Sequence, residues 1–358
     1  MIILALVFLV VCICWVHWLA HAHRMDRMTA TLPVLPTLPL IGNGSLFLGD
    51  TEPELAFKHK QSAKLWLGPK LYVAIGDPRD AQVVLENCLD KDVVYRFLRP
   101  WLGYGLFVAP VNLWKSHRKV LLPVFHNKIV EEYLGVIAEQ ADVLVERLEE
   151  KTDGRSFDVL KHVTACTLDI VFETAMGERM DVQHTPDTPY LRARHTVMEI
   201  LNKRLFKVWL QPDCLFNLTS YAKQQKDNIN LTHKFTDEIE FTDVQLREHI
   251  DSITIAGNDT TALVIAYTLK MNYLERVIKE SMRLYTVVPI IARNIDKDIY
   301  LRKLSASTIL VLGYAKPETL SSVVRSFKIE ADDIGPLKIE MLLFPKNGHQ
   351  VKISRRTP

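Results

Sequence analysis

Three sets of residues have types and spacings suited to chemistry. The first is Asp259 and Thr260 within AGNDTT at 256–261, which interrupts the otherwise apolar run LREHIDSITIAGNDTTALVIAYTL at 246–269. A threonine hydroxyl can bond back to the carbonyl four residues earlier, here Thr260 to Ala256, which locally opens a helix and frees backbone groups for water or ligand. An acid beside that alcohol can then relay protons. The alternative is that Asn258 and Asp259 face solvent while the threonines pack. The second set is Trp114 and Arg118, four apart, so that an indole N–H and a guanidinium fork project from one helical face and suit a carboxylate. An ordinary tryptophan–arginine packing pair is the alternative. The third is Glu280 and Arg283 in YLERVIKESMRLY, spaced i,i+3; exposed, such a pair is worth only ~0.2–0.5 kcal/mol and specifies no function.

The elements that would position these residues follow from patterning. The chain has 358 residues, 48% of them hydrophobic, enough for a substantial core. Lys+Arg 44 against Asp+Glu 42 is too balanced for a phosphate-reading surface, so nucleic acid is excluded as the expected partner. Cys12, Cys14, Cys88, Cys166 and Cys214 show neither zinc-ligand nor disulfide-framework spacing. Met1 to Ala20 carries no charged side chain and reaches the roughly 20 residues needed to cross a bilayer. Residues 1–22 are therefore expected to be a retained anchor rather than a cleaved signal peptide, since no A-x-A-like site precedes Arg24 and Arg27. Positive charge after the span predicts a cytosolic bulk, which leaves the Asn217-Leu-Thr219 sequon without meaning. His17, His21 and His23 mark the headgroup zone rather than a metal site.

Pro33, Pro36 and Pro39 make residues 23–40 a stiff neck, and 41–358 the main domain. KLWLGPKLYVAIGDP predicts a hairpin about Gly68-Pro69, then a helix opened by Asp77-Pro78 and running through Asn87. From Trp114 to about Thr268 helical spacing dominates, with interruptions at Gly154, around Pro186 to Pro189, and at Pro212. Asn347-Gly348 between two alternating runs predicts a second hairpin. The expected class is mainly α with small peripheral β-sheets.

Five motifs in order carry a resemblance. WLGYGLFVAPVNLWKSHRKVLLPVFH, TLDIVFETAMG at 167–177, AGNDTT, YLERVIKESMRLY and VPIIAR together resemble the cytochrome P450 superfamily, in particular its insect family-four-like branch. The resemblance implies a membrane-anchored haem monooxygenase of the endoplasmic reticulum, oxidising a lipophilic small molecule with O2 and electrons from an NADPH-dependent cytochrome P450 reductase. It implies that Trp114, Arg118 and Arg293 donate to the haem propionates, that Asp259 and Thr260 deliver protons to iron-bound oxygen, and that Glu280–Arg283 is a structural ion pair on the haem's proximal side. Some relatives attach haem covalently through a glutamate where Ala256 stands, so haem here is expected to be non-covalent.

The sequence departs from that family in two places. The family's F-x-x-G-x-R-x-C-x-G loop, whose cysteine thiolate holds iron, has no counterpart: the last cysteine is Cys214. STILVLGYAK runs directly into PETLSSVVRSFKIE, so that, against the family's pattern, one segment is expected to be lost near 313–314 and a second at Lys270-Met271. Residues 259–288 contain neither Gly nor Pro, which predicts either one helix from Asp243 to Tyr285 or a break near Asn272. Three functional readings follow: a haem monooxygenase, an inactive truncated product or remnant, and a non-redox lipophile-binding membrane protein.

Overall fold

The computed structural model of the chain describes residues 63–67, 70–75, 78–185, 188–237, 244–270, 288, 291–294, 327–331, 337–339 and 341–355, with isolated positions among the first 43. The expected first hairpin pairing forms: β1 (Ala63–Leu67) and β2 (Lys70–Ala74) are antiparallel, with Leu67 opposite Lys70, while Gly68 and Pro69 lie outside the described residues. Helix α1 (Pro78–Asn87) starts on Pro78, whose missing N–H costs nothing at the first helical position. A 3-10 segment, Val93–Leu98, opens on Asp92, whose carboxylate accepts from the Val94 amide.

The helical middle comprises α2 (Arg99–Leu102), α3 (Val111–Leu121), α4 (Asn127–Glu132), α5 (Leu134–Glu149), α6 (Val159–Met176), α7 (Pro189–Phe206), α8 (Asp213–Phe216), α9 (Ser220–Asp237) and α10 (Val244–Leu269). The interruptions fall where the sequence predicts. Gly154, at φ +80°, lies in the turn after α5, Pro189 opens α7 under a Thr188 cap, and Pro212 precedes α8. Helix α6 is closed at both ends by side-chain chemistry: Asp158 accepts from the Leu160 amide, and Gly177 takes the left-handed conformation at φ +75°.

The core lies where α10 packs on α6 and α5. Ala262 to Leu269 are all buried, so the last two turns of α10 are enclosed on every side, as an all-apolar helix requires. Val163, Cys166, Leu144 and Leu148 belong to the same cluster. A second cluster joins Trp101 and Leu102 of α2 to Val197 and Leu201 of α7 and Ile229 of α9.

Of the two alternatives for the stretch after α10, the continuous helix is corrected, and so is the second hairpin. Helix α10 ends at Leu269 and Lys270 is a turn residue, its amide donating to the Tyr267 carbonyl at 3.2 Å, so no single helix continues from the 243 region to Tyr285. The break comes just before the suspected junction at Lys270-Met271; residues 271–287, like the junction near 313–314, lie outside the described residues. The turn at Asn347-Gly348 forms, with the Gly348 amide donating to the Pro345 carbonyl, but its flanking strands do not pair with each other. β6 (Leu343–Pro345) pairs with β5 (Leu337–Ile339), whereas β7 (Gln350–Arg355) lies between β3 (Phe157–Asp158) and β4 (Phe327–Glu330), all antiparallel. The turn passes the chain between sheets because Asp158 captures the strand beyond it: its carboxylate accepts from the His349 amide at 3.2 Å, and the Val159 amide donates to the His349 carbonyl at 3.1 Å.

No helix among the described residues is long and apolar enough to cross a membrane. The expected anchor at 1–22 and neck at 23–40 fall almost wholly outside those residues, and the few described positions of the anchor are helical.

Gly348→Ala is expected to destabilise the chain by about 1–2 kcal/mol in urea unfolding, because φ is +69° and a Cβ would meet Asp158 Oδ2 at 2.9 Å. His349 is fully buried against the Tyr267 ring, and burial pushes its pKa down to about 4 although Asp158 pulls the other way. A folded pKa below the unfolded 6.5 means that this contribution is complete above pH 6.5 and is lost as pH falls through about 4. His349→Phe should remove that acid sensitivity, on the order of 3 kcal/mol, from a series of unfolding curves between those limits.

Candidate active site and family membership

Helix α10 presents the AGNDTT segment toward α6 and α7. The back-bond expected from the sequence is present: Thr260 Oγ1 donates to the Ala256 carbonyl at 2.5 Å. The solvent-facing alternative for Asn258 and Asp259 does not hold. Asn258 is fully buried, and Asp259 forms an ion pair with Arg194 of α7, Nη2 to Oδ2 2.5 Å. Arg194 carries donors only, so Asn258 turns its carbonyl oxygen to Arg194 Nη1 at 2.6 Å. Its amide nitrogen then donates to the Thr167 hydroxyl at 2.8 Å and the Thr164 carbonyl at 3.2 Å. One buried guanidinium thus joins α7 to both polar residues of α10, and through Asn258 to α6. Arg194 is a member of this polar cluster that the sequence reading missed. In RARHTVMEI it looks like any cation on a polar helix, and only the packing of α7 on α10 buries it.

Trp114 and Arg118 are brought together on α3, with the guanidinium over the indole at 5.1 Å from the ring centroid. This is the packing arrangement that sequence left open, worth roughly 0.5–1 kcal/mol at an exposed site. The arginine remains exposed, so its remaining donors face outward.

Arg293 is fixed from its backbone. An isolated bridge pairs it with Lys91, the Asn294 amide donates to the Asp90 carbonyl at 2.9 Å, and the Asp92 amide donates to the Ala292 carbonyl at 3.4 Å. Two cations are therefore neighbours. Burial first, and Arg293 second, push the Lys91 pKa down to about 8. Lys91 donates to the Phe107 carbonyl and lies over the Phe107 and Tyr95 rings, while burial raises the Tyr95 phenol. Lys91 was also missed, because Asp90-Lys91-Asp92 reads as a solvated turn. Two neighbouring cations are of the chemistry that a carboxylate site needs. Among the described residues no contact links this group with Trp114 and Arg118. Glu280 and Arg283 lie outside the described residues.

Comparison with known proteins now fits the geometry. The cytochrome P450 family model matches residues 32–240 and 269–306, most of the chain but not the stretch carrying Asp259 and Thr260. Cytochrome P450 4V2 of Homo sapiens is 28% identical over 368 residues, covering 77% of this chain and 70% of that protein. Cytochrome P450 4d10 of Drosophila mettleri is 28% identical over 409 residues, covering 88% and 79%. The fold is similar to the crystal structure of the cytochrome P450DA heme domain, with TM-score 0.71 at 16% identity over 91% of this chain and 98% of that one. The chain belongs to the cytochrome P450 family, a family of haem monooxygenases, and within it is family-four-like.

The family implies a haem cofactor, and the residues present match its two ends unequally. Arg293 with Lys91, and Trp114 with Arg118, are of the right chemistry for carboxylates. For iron there is no counterpart to the thiolate. Cys166 is fully buried, its Sγ 3.4 Å from the Gln140 carbonyl of α5; burial pushes its thiol up, and it turns away from the helix to which its neighbour Thr167 is bonded. Cys88 is buried at the end of α1, Cys214 is exposed on α8, and Cys12 lies in the amino-terminal segment. The acid–alcohol segment is therefore not faced by a sulfur ligand among the described residues.

Arg194→Met is expected to cost about 2–3 kcal/mol, since it strands a buried amide and a half-buried carboxylate. In a double-mutant cycle by urea unfolding, Asp259→Asn should recover part of that loss in the Arg194→Met background; strictly additive effects would show that the pair carries no interaction.

Proposed function

We propose that this chain is a membrane-anchored cytochrome P450 relative that keeps the carboxylate-binding and proton-relay residues of a lipophile monooxygenase but not the ligand that would run it. The observation that carries the reading is that no cysteine follows Cys214, while the family's thiolate lies beyond the oxygen-activating helix. Haem held by an axial thiolate activates dioxygen for insertion of one oxygen atom into an organic substrate, using electrons from a reductase. No hydrogen bond around the site replaces the electronic effect of a missing thiolate.

This chain's own residues would still act. Trp114, Arg118 and Arg293, joined by Lys91, would bind the propionates of a non-covalent porphyrin through charge-assisted hydrogen bonds. Asp259 and Thr260 are the proton carriers of the intact enzyme's site, and here both are engaged, with Arg194 and with the Ala256 carbonyl. Glu280 and Arg283 would brace the proximal side. The family resemblance makes a lipophilic small molecule the substrate class. An anchor at 1–22 with a neck at 23–40 would place the 41–358 domain on the cytosolic face of the endoplasmic reticulum, where an NADPH-dependent cytochrome P450 reductase is the electron donor of competent relatives.

Lost segments near 270–271 and 313–314 account for the missing loop. The alignment with cytochrome P450 4V2 spans 368 residues although only 77% of this 358-residue chain is aligned, which supports the reading that the relative has segments without counterparts here.

The test is expression of the full chain with a reductase, NADPH and a haem supply. The expected result is no thiolate-type spectrum under carbon monoxide and no reductase-dependent oxidation of a fatty-acid probe. A thiolate spectrum or sustained turnover would overturn the proposal.

A further inference from the structure

Helix α3 carries Trp114 and Arg118, yet it is thinly attached. None of its described side chains is buried, and none belongs to a core cluster. Val120 on α3, and Leu122, Val124 and Phe125 just beyond it, stand exposed. Among the described residues, the recorded side-chain contact from α3 to another helix is that of His117 with His249 of α10. The two rings meet edge to face, with centroids 4.5 Å apart and an interplanar angle of 82°. Nδ1 of each ring is shielded from solvent and has no hydrogen-bond partner.

We propose that the His117–His249 contact is an acid-released latch that docks α3 on α10, so that proton uptake at the pair frees the helix bearing Trp114 and Arg118. Two neutral imidazoles pack well edge to face, and one imidazolium can still rest against a neutral ring. A second proton sets like charges in contact. The charged groups around the pair do not offset this. Glu248 on α10 favours the cationic form of His249, but burial and then His117 outweigh it and push His249's pKa down. On α3 itself Lys115 and Arg118 add positive charge. The loop between α2 and α3 meets α10 through Gly103 and Gly105, which lie against the Glu248 carboxylate and the Glu248 carbonyl, so it brings no titratable side chain of its own to that contact.

The sign follows from the lowered pKa of His249. The docking contribution is complete above the ordinary imidazole value of 6.5 and is lost as pH falls through the lower folded value. The device requires no cofactor, so it stands apart from the carboxylate-binding reading of the same helix.

The test is amide hydrogen exchange on the full chain in detergent micelles, corrected for intrinsic exchange, at about pH 7.5 and about pH 5, either side of an ordinary imidazole. Protection across residues 111–121 should fall by about tenfold or more in the wild type, with α6 unchanged. His117→Phe, which keeps a ring against His249 but removes the second charge, should shrink the α3 loss to about threefold or less, with burial of His249 leaving the remainder. His249→Phe serves the same purpose should the first variant fail to fold. Equal losses in wild type and variant, or unchanged wild-type protection, would overturn the proposal.

Discussion

The packing of α10 on α6, with α7 tied to it through Arg194, is the constraint on which the rest depends. Its last two turns are apolar all round and fully enclosed, which fixes the helix along its axis. The turn before them carries polar residues that an apolar enclosure would not tolerate unpaired. Arg194 resolves this by bonding Asn258 and pairing with Asp259, so that the segment is held at a defined rotation against α6 and α7. A buried ion pair of this kind is weak evidence of stability, but strong evidence of position, since either partner alone would be costly to bury.

The same logic divides what sequence could reveal from what it could not. The first hairpin, the start of α1 at Pro78 and the breaks at Gly154, Pro189 and Pro212 depend on backbone preferences of the residues themselves, and all were legible. Thr260 bonding to Ala256 was legible for the same reason, being a contact within one helical turn. The strand pairing after Asn347-Gly348 was not. Local turn chemistry is correct there, yet Asp158, nearly two hundred positions earlier, supplies the hydrogen bonds that decide which sheet the next strand joins. Arg194 and Lys91 were illegible because each gains its role through burial by a distant element.

The site reads as a family inheritance unevenly kept. The carboxylate-facing chemistry is distributed over α3, the strand-like contact of Arg293 with Lys91, and the aromatic surroundings of Tyr95 and Phe107. These depend on helices and bridges that survive in this chain. The iron-facing chemistry in the family depends on one loop, and one loop can be lost without disturbing the packing of α10 on α6. Fold and family rest on helix packing, whereas a reaction rests on individual site residues.

The most direct measurement compares the affinity of the purified chain for haem with its affinity for iron-free protoporphyrin, followed by quenching of intrinsic tryptophan fluorescence. If binding rests on carboxylate donors without an iron ligand, the two constants should agree within about threefold, less than 1 kcal/mol. Haem bound about a hundredfold or more tighter, a difference near 2.8 kcal/mol that only ligation of iron would supply, would contradict the account.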